Sequence, residues 1–314
     1  MKKIIPGILK RIPFIGKVYN TYCNQRDELL KLKKEISQYQ LGWPPGHFYS
    51  PIPSLERIKI REEKIWGIVP GEIDGINLNE KKQIDLLQQL STHYGMQPWS
   101  NEKQQHLRFF FQNDNYSYGE SIILFCLIMH LKPHKFIEIG SGYSSGVFLD
   151  TNEFFFNNSI STTFIEPYPQ LLSSLLKPSD QSNINIIAKD LQDVDADVFS
   201  ALSEGDILLI DSTHVSKIDS DVNHILFKVL PQLKSGVYIH FHDIFYPFEY
   251  PKEWVYQGRA WNECYILRAF LMYNNDFEIV LFNSFLSYFH TGVFFDEMPL
   301  CAKNPGTSIW IRKK

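Results

Sequence analysis

Three stretches of this 314-residue chain combine reactive residue types with spacings that let them meet. The first is Glu138-Ile139-Gly140-Ser141-Gly142-Tyr143-Ser144-Ser145, where an apolar run ends in a tight glycine turn. A turn of that kind opening a helix lets the backbone approach a ligand closely, and a nucleotide-type ligand is implied. A nicotinamide-binding GxGxxG would want glycine where Ser145 stands, which weighs against hydride transfer. The second is a series of acids closing successive apolar runs. Glu166 is placed to accept both hydroxyls of a ribose, Asp190 to face an adenine, and Asp211 closes the next run. The third joins Asp211 to His214 and to the pair His242-Asp243. Asp211, His242 and Asp243 form a carboxylate and imidazole set suited to a divalent cation. Without a metal, His214 or His242 can serve as general base, with Asp211 or Asp243 holding the imidazole.

Plainer roles exist for several of these side chains. Asp211 can cap the turn that follows it, and His240, in phase with His242 on one strand face, reads as a structural histidine. Asp219 and Asp221 read as helix-start residues before Val222 to Leu230. Downstream, the aromatic segment from Phe245 to Trp261 reads as a lid or acceptor wall, with Tyr250, Trp254 and Arg259 as acceptor contacts. Its plainer reading is a satellite core under a long loop. Arg259 and Glu263 are spaced to pair on one helical turn.

The elements that must position these residues begin after Tyr118, where strand-length apolar runs alternate with helical segments. The strands are Phe136 to Ile139, Thr163 to Ile165, Ile184 to Ala188, Ile207 to Ile210, Val237 to Phe241, Phe277 to Asn283 and Ser308 to Arg312. Residues 284–307, with two prolines and two glycines, read as a loop between the last two strands, so a hairpin-like return is expected. The fold class is α/β, a doubly wound, seven-stranded, mostly parallel sheet, and ligands then bind beyond the carboxyl ends of the strands. Ahead of it lie a basic arm, a helix over Asn24 to Gln40, a proline-rich aromatic stretch from Gly42 and a helix over Asn79 to Tyr94. The chain thus divides into a helical, irregular extension, 1–115, and a ligand-binding domain, 116–314.

With FIEIGSGYSS, TTFIEPYP, IIAKD, ILLIDSTH and LKSGVYIHFHDIF in these places, the chain resembles the class I S-adenosylmethionine-dependent methyltransferases, which have a Rossmann-like fold, over roughly Tyr118 to Lys314. The resemblance implies that Glu138, Gly140 and Gly142, with Ser141 in the same turn, line the methionine and ribose side of S-adenosylmethionine. It also implies that Glu166 holds the ribose hydroxyls and that Asp190 and Leu191 flank adenine. The two strand ends at Asp211 and His242-Asp243 are similar to those that supply the metal in O-methyltransferases of the catechol and cephalosporin-tailoring types. Here His242 replaces the expected acid, and three oxygen ligands would suit magnesium better. The implied activity is O-methylation of a small-molecule or glycan hydroxyl, with or without a divalent cation such as magnesium. Nitrogen methylation, a nicotinamide oxidoreductase and a non-catalytic cofactor-binding scaffold stay open alternatives.

Composition narrows the partners. A formal charge of −4 gives no cationic field for nucleic acid. Cys23, Cys126, Cys264 and Cys301 are widely spaced, which excludes a zinc knuckle or disulfide framework and fits a reducing, cytoplasmic setting. No apolar run is long enough to span a membrane. Residues 1–18 interleave lysine and arginine with isoleucine, leucine and phenylalanine, so this arm is suited to lying on an anionic membrane surface, or to packing on its own domain or on a partner subunit of a homo-oligomer.

Overall fold

The computed structural model describes residues 13–39 and 42–314, so most of the basic arm lies outside the described residues. The chain forms two compact units, one up to Glu62 and one from Glu63 to Lys314. In the first, a 27-residue helix runs from Pro13 to Tyr39, longer at its start than the expected span. Proline is tolerated there because the first helical N–H has no intrahelical partner to lose. Trp43 stacks on His47 at 4.2 Å, and Ser54 caps a short helix over Leu55–Ile60 by accepting from the Arg57 amide.

The second unit is built on a seven-stranded sheet. Its strands are β1 (Lys135–Ile139), β2 (Ser161–Ile165), β3 (Ile184–Ile187), β4 (Ile207–Ile210), β5 (Tyr238–Phe241), β6 (Phe277–Phe282) and β7 (Ile309–Lys313), in the order β3-β2-β1-β4-β5-β7-β6. Strands β1 to β5 pair in parallel, while β7 runs antiparallel between β5 and β6. All four residues of β4 are buried, as a central strand covered on both faces requires. The helix Tyr118–Leu131, buried from Tyr118 through Ile128, and the helix Tyr143–Phe156 pack together on the sheet.

Two expectations need correction. Residues 284–307 are not loop-like: helices cover Asn283–Phe289 and Thr291–Glu297, and a 3-10 turn covers Pro299–Lys303. Gly292 and Pro299 fall at the starts of these pieces rather than inside a loop, and Phe285, Leu286, Phe294 and Met298 bury their apolar faces. The unit that holds the sheet also begins well before residue 116. Leu87, Leu90, Trp99, Phe109 and Phe111 belong to its core, and the helix Glu80–Tyr94 packs on Tyr118–Leu131.

Candidate active site

Gly140 sets the geometry at the carboxyl edge. Its φ is +79°, and a Cβ there would lie 1.6 Å from the Asp211 carbonyl oxygen, so only glycine lets the β1 turn pass beneath the end of β4. The Asp211 amide donates to the Ile139 carbonyl at 2.8 Å, and the Gly140 amide to that of Ile165 at 3.0 Å. Three strand ends are thereby laced at one point, the topological switch between β1 and β4.

Two cavities meet there. The first, of about 480 Å³, is lined by Gly140, Glu166, Asp190, Leu191, Asp211 and Ser212, among others. Glu166 accepts from the Ser141 amide at 3.1 Å and the Tyr168 amide at 2.8 Å, which fixes its carboxylate at the cavity wall. Asp190 is exposed at the rim beside buried Leu191. The second cavity, of about 400 Å³, is lined by Ser141, Gly142, Tyr116, Asp211, His214, His242, Asp243, Trp254, Arg259 and Trp261, among others. Asp211 and Ser212 belong to both walls.

Glu138 departs from its expected place. It is fully buried and lines neither cavity; its carboxylate accepts from the Ser144 and Ser145 hydroxyls, the latter at 2.8 Å, and so locks the glycine turn to the helix. Burial pushes its carboxyl up to about 8, against the opposing pull of those hydroxyls. Tyr250 is likewise no part of the acceptor wall. It is buried, and its hydroxyl accepts from the Cys264 amide at 3.1 Å.

The reactive cluster assembles from the ends of β4 and β5. Ligand atoms of Asp211, His214 and His242 all lie within 4.8 Å of one another. The expected partner Asp243 lies beside this trio: one of its oxygens accepts from the Thr307 hydroxyl at 3.1 Å, and the other lies 3.6 Å from His242 Nδ1 and 3.8 Å from His214 Nε2. His214 Nδ1 sits 2.8 Å from the Glu263 carboxylate, which turns Nε2 toward Asp211 at 3.5 Å. His242 Nδ1 lies 3.2 Å from Asp211 Oδ1, with Nε2 toward Glu120 at 3.9 Å. His214 (φ +59°) and Asp243 (φ +56°) occupy the left-handed region, a strain of about 1–3 kcal/mol each that clusters at functional sites.

Carboxylates outnumber imidazoles here, and the electrostatics follow. Burial alone would lower the His214 pKa, but Asp211 and Glu263 outweigh it and push the ring up to about 10. Burial opposes ionisation of Asp211 too, yet His242 and His214 hold it well below the usual carboxylate range. Burial raises Asp243 and lowers His240, whose ring is fully enclosed beside Trp310 as a structural histidine would be.

The loop carrying His214 is held by side chains read differently from sequence. Asp221 does not cap the next helix; Ser220 does, accepting from the Asn223 amide, while Asp221 accepts from the amide and hydroxyl of Thr213. Glu263 does not pair with Arg259, because it is committed to His214. Arg259 instead lies over Trp254 at 4.0 Å and Trp261 at 5.2 Å, and Trp261 packs on His214 at 4.5 Å. Tyr116 and Glu120 were missed: both precede the first strand, and only folding brings them against His242.

Comparison with known proteins fits this arrangement. Residues 137–244 match a family model described as a methyltransferase domain. Over 194 residues the chain is 31% identical to an uncharacterized protein of Archaeoglobus fulgidus, covering 60% of this chain and 86% of that one. The segment 137–244, from the first strand through the fifth, is a methyltransferase domain. Among solved structures, this methyltransferase is similar to the apo form of CmcI (TM-score 0.40, 15% identity, 63% of this chain and 72% of that one). It is also similar to the SAH-bound methyltransferase PaMTH1 of Podospora anserina (TM-score 0.41, 14% identity, 84% and 99%).

Proposed function

We propose that this methyltransferase carries the methyl group of S-adenosylmethionine to a hydroxyl of a small-molecule or glycan acceptor, with a divalent cation held by Asp211, His214 and His242. The observation that carries this reading is the position of Asp211 on the shared wall of the two cavities, so that donor and acceptor would meet at its carboxylate.

The residues present fit the cofactor. Ser141 Oγ and Ser212 Oγ are buried at the cavity walls without a protein partner, as donors reserved for a ligand would be. A carboxylate has about four lone-pair sites, and Glu166 uses two on backbone amides, leaving acceptors for ribose hydroxyls. Leu191 offers an apolar face and Asp190 an acceptor at the adenine end.

The cluster also fits a cation. One carboxylate oxygen and two imidazole nitrogens, ringed by Asp243, Glu120 and Glu263, form a set that suits manganese, iron or zinc better than magnesium. A divalent ion held there would lower the pKa of an acceptor hydroxyl and fix its oxygen. The chain's own part is positioning. Glu263 fixes the tautomer and tilt of His214, and Thr307 steadies Asp243. Trp254, Trp261 and Arg259 wall the acceptor cavity, where a held geometry replaces a bimolecular encounter. The four cysteines are free, in keeping with the cytoplasmic setting proposed for it.

Calorimetric titration of S-adenosylhomocysteine, run with manganese, with magnesium and with a chelator, tests the reading. Saturable binding at a micromolar Kd, on the order of −8 kcal/mol, is expected, tightened by manganese more than by magnesium. No binding under any condition would remove the cofactor assignment, and binding indifferent to all cations, together with activity in chelator, would remove the metal.

A further inference from the structure

The helix Pro13–Tyr39 has a feature that the methyl-transfer site does not use. It is about 40 Å long by its 27 residues. Among its described side chains none is buried. A helix with no packed face has little to hold it, since most helical stability in proteins comes from burying one stripe.

The missing stripe is present in the sequence as a 3.5-residue repeat. Taking Ile15 as heptad position a, the a positions are Ile15, Tyr22, Leu29 and Ile36, and the d positions are Val18, Gln25, Leu32 and Tyr39. A seven-residue apolar repeat sustained over about four heptads defines a left-handed coiled-coil seam. Along it Val18, Tyr22, Leu29, Leu32 and Ile36 are 55, 62, 52, 48 and 54% exposed.

The flanking charges select the occupant. Positions e carry Arg26 and Lys33, and positions g carry Glu28 and Glu35. In a parallel pair, g of one helix faces e of the next heptad on the other, which sets Glu28 against Lys33 of a second copy. An antiparallel pair would set acids against acids and bases against bases. Within the chain neither Glu28 nor Lys33 has an ion-pair partner among the described residues, whereas Lys31 is within 4.0 Å of Glu35. Gln25 adds register: in a parallel, in-register pair its amide meets its own copy, donor to acceptor, and any slip buries it against an apolar side chain.

We infer that residues 13–39 bind a second copy of this chain as a parallel, in-register, two-stranded coiled coil. The interface is independent of the active-site assignment and stands or falls separately.

Sedimentation equilibrium on the full chain tests it. Twice the chain mass is expected at micromolar protein, and a Leu29→Glu/Leu32→Glu variant should sediment as a monomer while keeping the far-UV signal of the sheet domain and its thermal transition. Orientation is read by cysteine crosslinking. Val18→Cys in a Cys23→Ser background should form a disulfide-linked dimer on mild oxidation, because position 18 meets its own copy only in the parallel arrangement. Glu28→Lys should weaken the dimer at low salt, and Glu28→Lys/Lys33→Glu should restore it. A monomeric parent, a dimer that survives Leu29→Glu/Leu32→Glu, a trimeric mass, or a dimer in which Val18→Cys does not crosslink would each overturn the proposal.

Discussion

His214 Nδ1 rests 2.8 Å from the Glu263 carboxylate, and the two residues bury 94% or more of their side chains across 49 positions of sequence. The pair is reinforced by the backbone, since the amides of Asn262 and Glu263 both donate to the His214 carbonyl at 3.2 Å. An imidazole fixed this way presents one defined nitrogen to the cluster, as histidines at metal and proton-transfer sites do.

Glu263→Gln keeps the shape of that contact but removes its charge. Activity, or affinity for manganese, should fall about 10–100-fold, the range for partners that orient a metal-bound histidine. S-adenosylhomocysteine affinity measured in chelator should stay within about twofold of the parent. An equal loss in cofactor affinity would show that Glu263 supports the fold rather than the cluster.

The two cavities predict a separation of effects. Glu166→Ala removes acceptors placed for the ribose and should weaken S-adenosylhomocysteine binding by about 10–100-fold, the equivalent of about 1.5–3 kcal/mol for a charged hydrogen-bond partner. Asp211→Ala should abolish turnover and cation binding, with cofactor affinity measured in chelator nearly unchanged. Calorimetry of both variants decides it, and a strong cofactor loss in Asp211→Ala would move Asp211 to the cofactor side.

Sequence reading reached the sheet because its cues are local. Apolar runs of strand length lead into the Gly140 turn, Glu166, Asp190, Asp211 and His242, and every one of those runs is a strand. What it missed depends on contacts far apart in the chain. Glu263 looked like a partner for Arg259 at i+4, but the helix begins at Glu263, so no turn joins them and His214 takes the carboxylate. Tyr116 and Glu120 carry no motif and gain meaning only when folding sets Tyr116 and the helix Tyr118–Leu131 beside His240 and His242. Residues 284–307 were misread because proline and glycine mark helix starts as well as loops.

Glu138 gives a pH dependence of stability with a defined sign. Its carboxyl is held protonated up to about 8 by burial, against an ordinary value of 4.5 in the unfolded chain. The folded state therefore binds more protons between those values, and stability falls as pH rises through that window. The contribution is fully present below about 4.5 and lost above about 8. Glu138→Gln cannot ionise, so thermal unfolding from pH 5.5 to 8.5 should show a shallower decline in Tm than the parent. Parallel profiles would mean that the Ser144 and Ser145 hydroxyls keep the carboxylate ionised in the folded protein.

Arg108 supplies the sharpest test of how the segment before the sheet supports the cofactor turn. Its guanidinium, 1% exposed, contacts Asp150 at 2.8 Å, Glu153 at 2.7 Å and Asp180 at 2.5 Å. Asp150 also accepts from the Trp99 indole and from the backbone amides of Arg108 and Phe109, so one carboxylate ties this segment to the helix that follows the glycine turn. Removing a single member of a buried ion network leaves the others uncompensated, a loss of about 3–5 kcal/mol. In a unit of this size each kcal/mol lowers Tm by about 2–4 °C, so Arg108→Ala should melt roughly 6–20 °C below the parent. Arg108→Lys should recover only part of this, because an ammonium cannot reach three carboxylates with the planar fork that Arg108 uses. If Arg108→Ala melts with the parent, the network contributes no net stability and the turn is held by the strand-end bonds at Gly140 and by Glu138 instead.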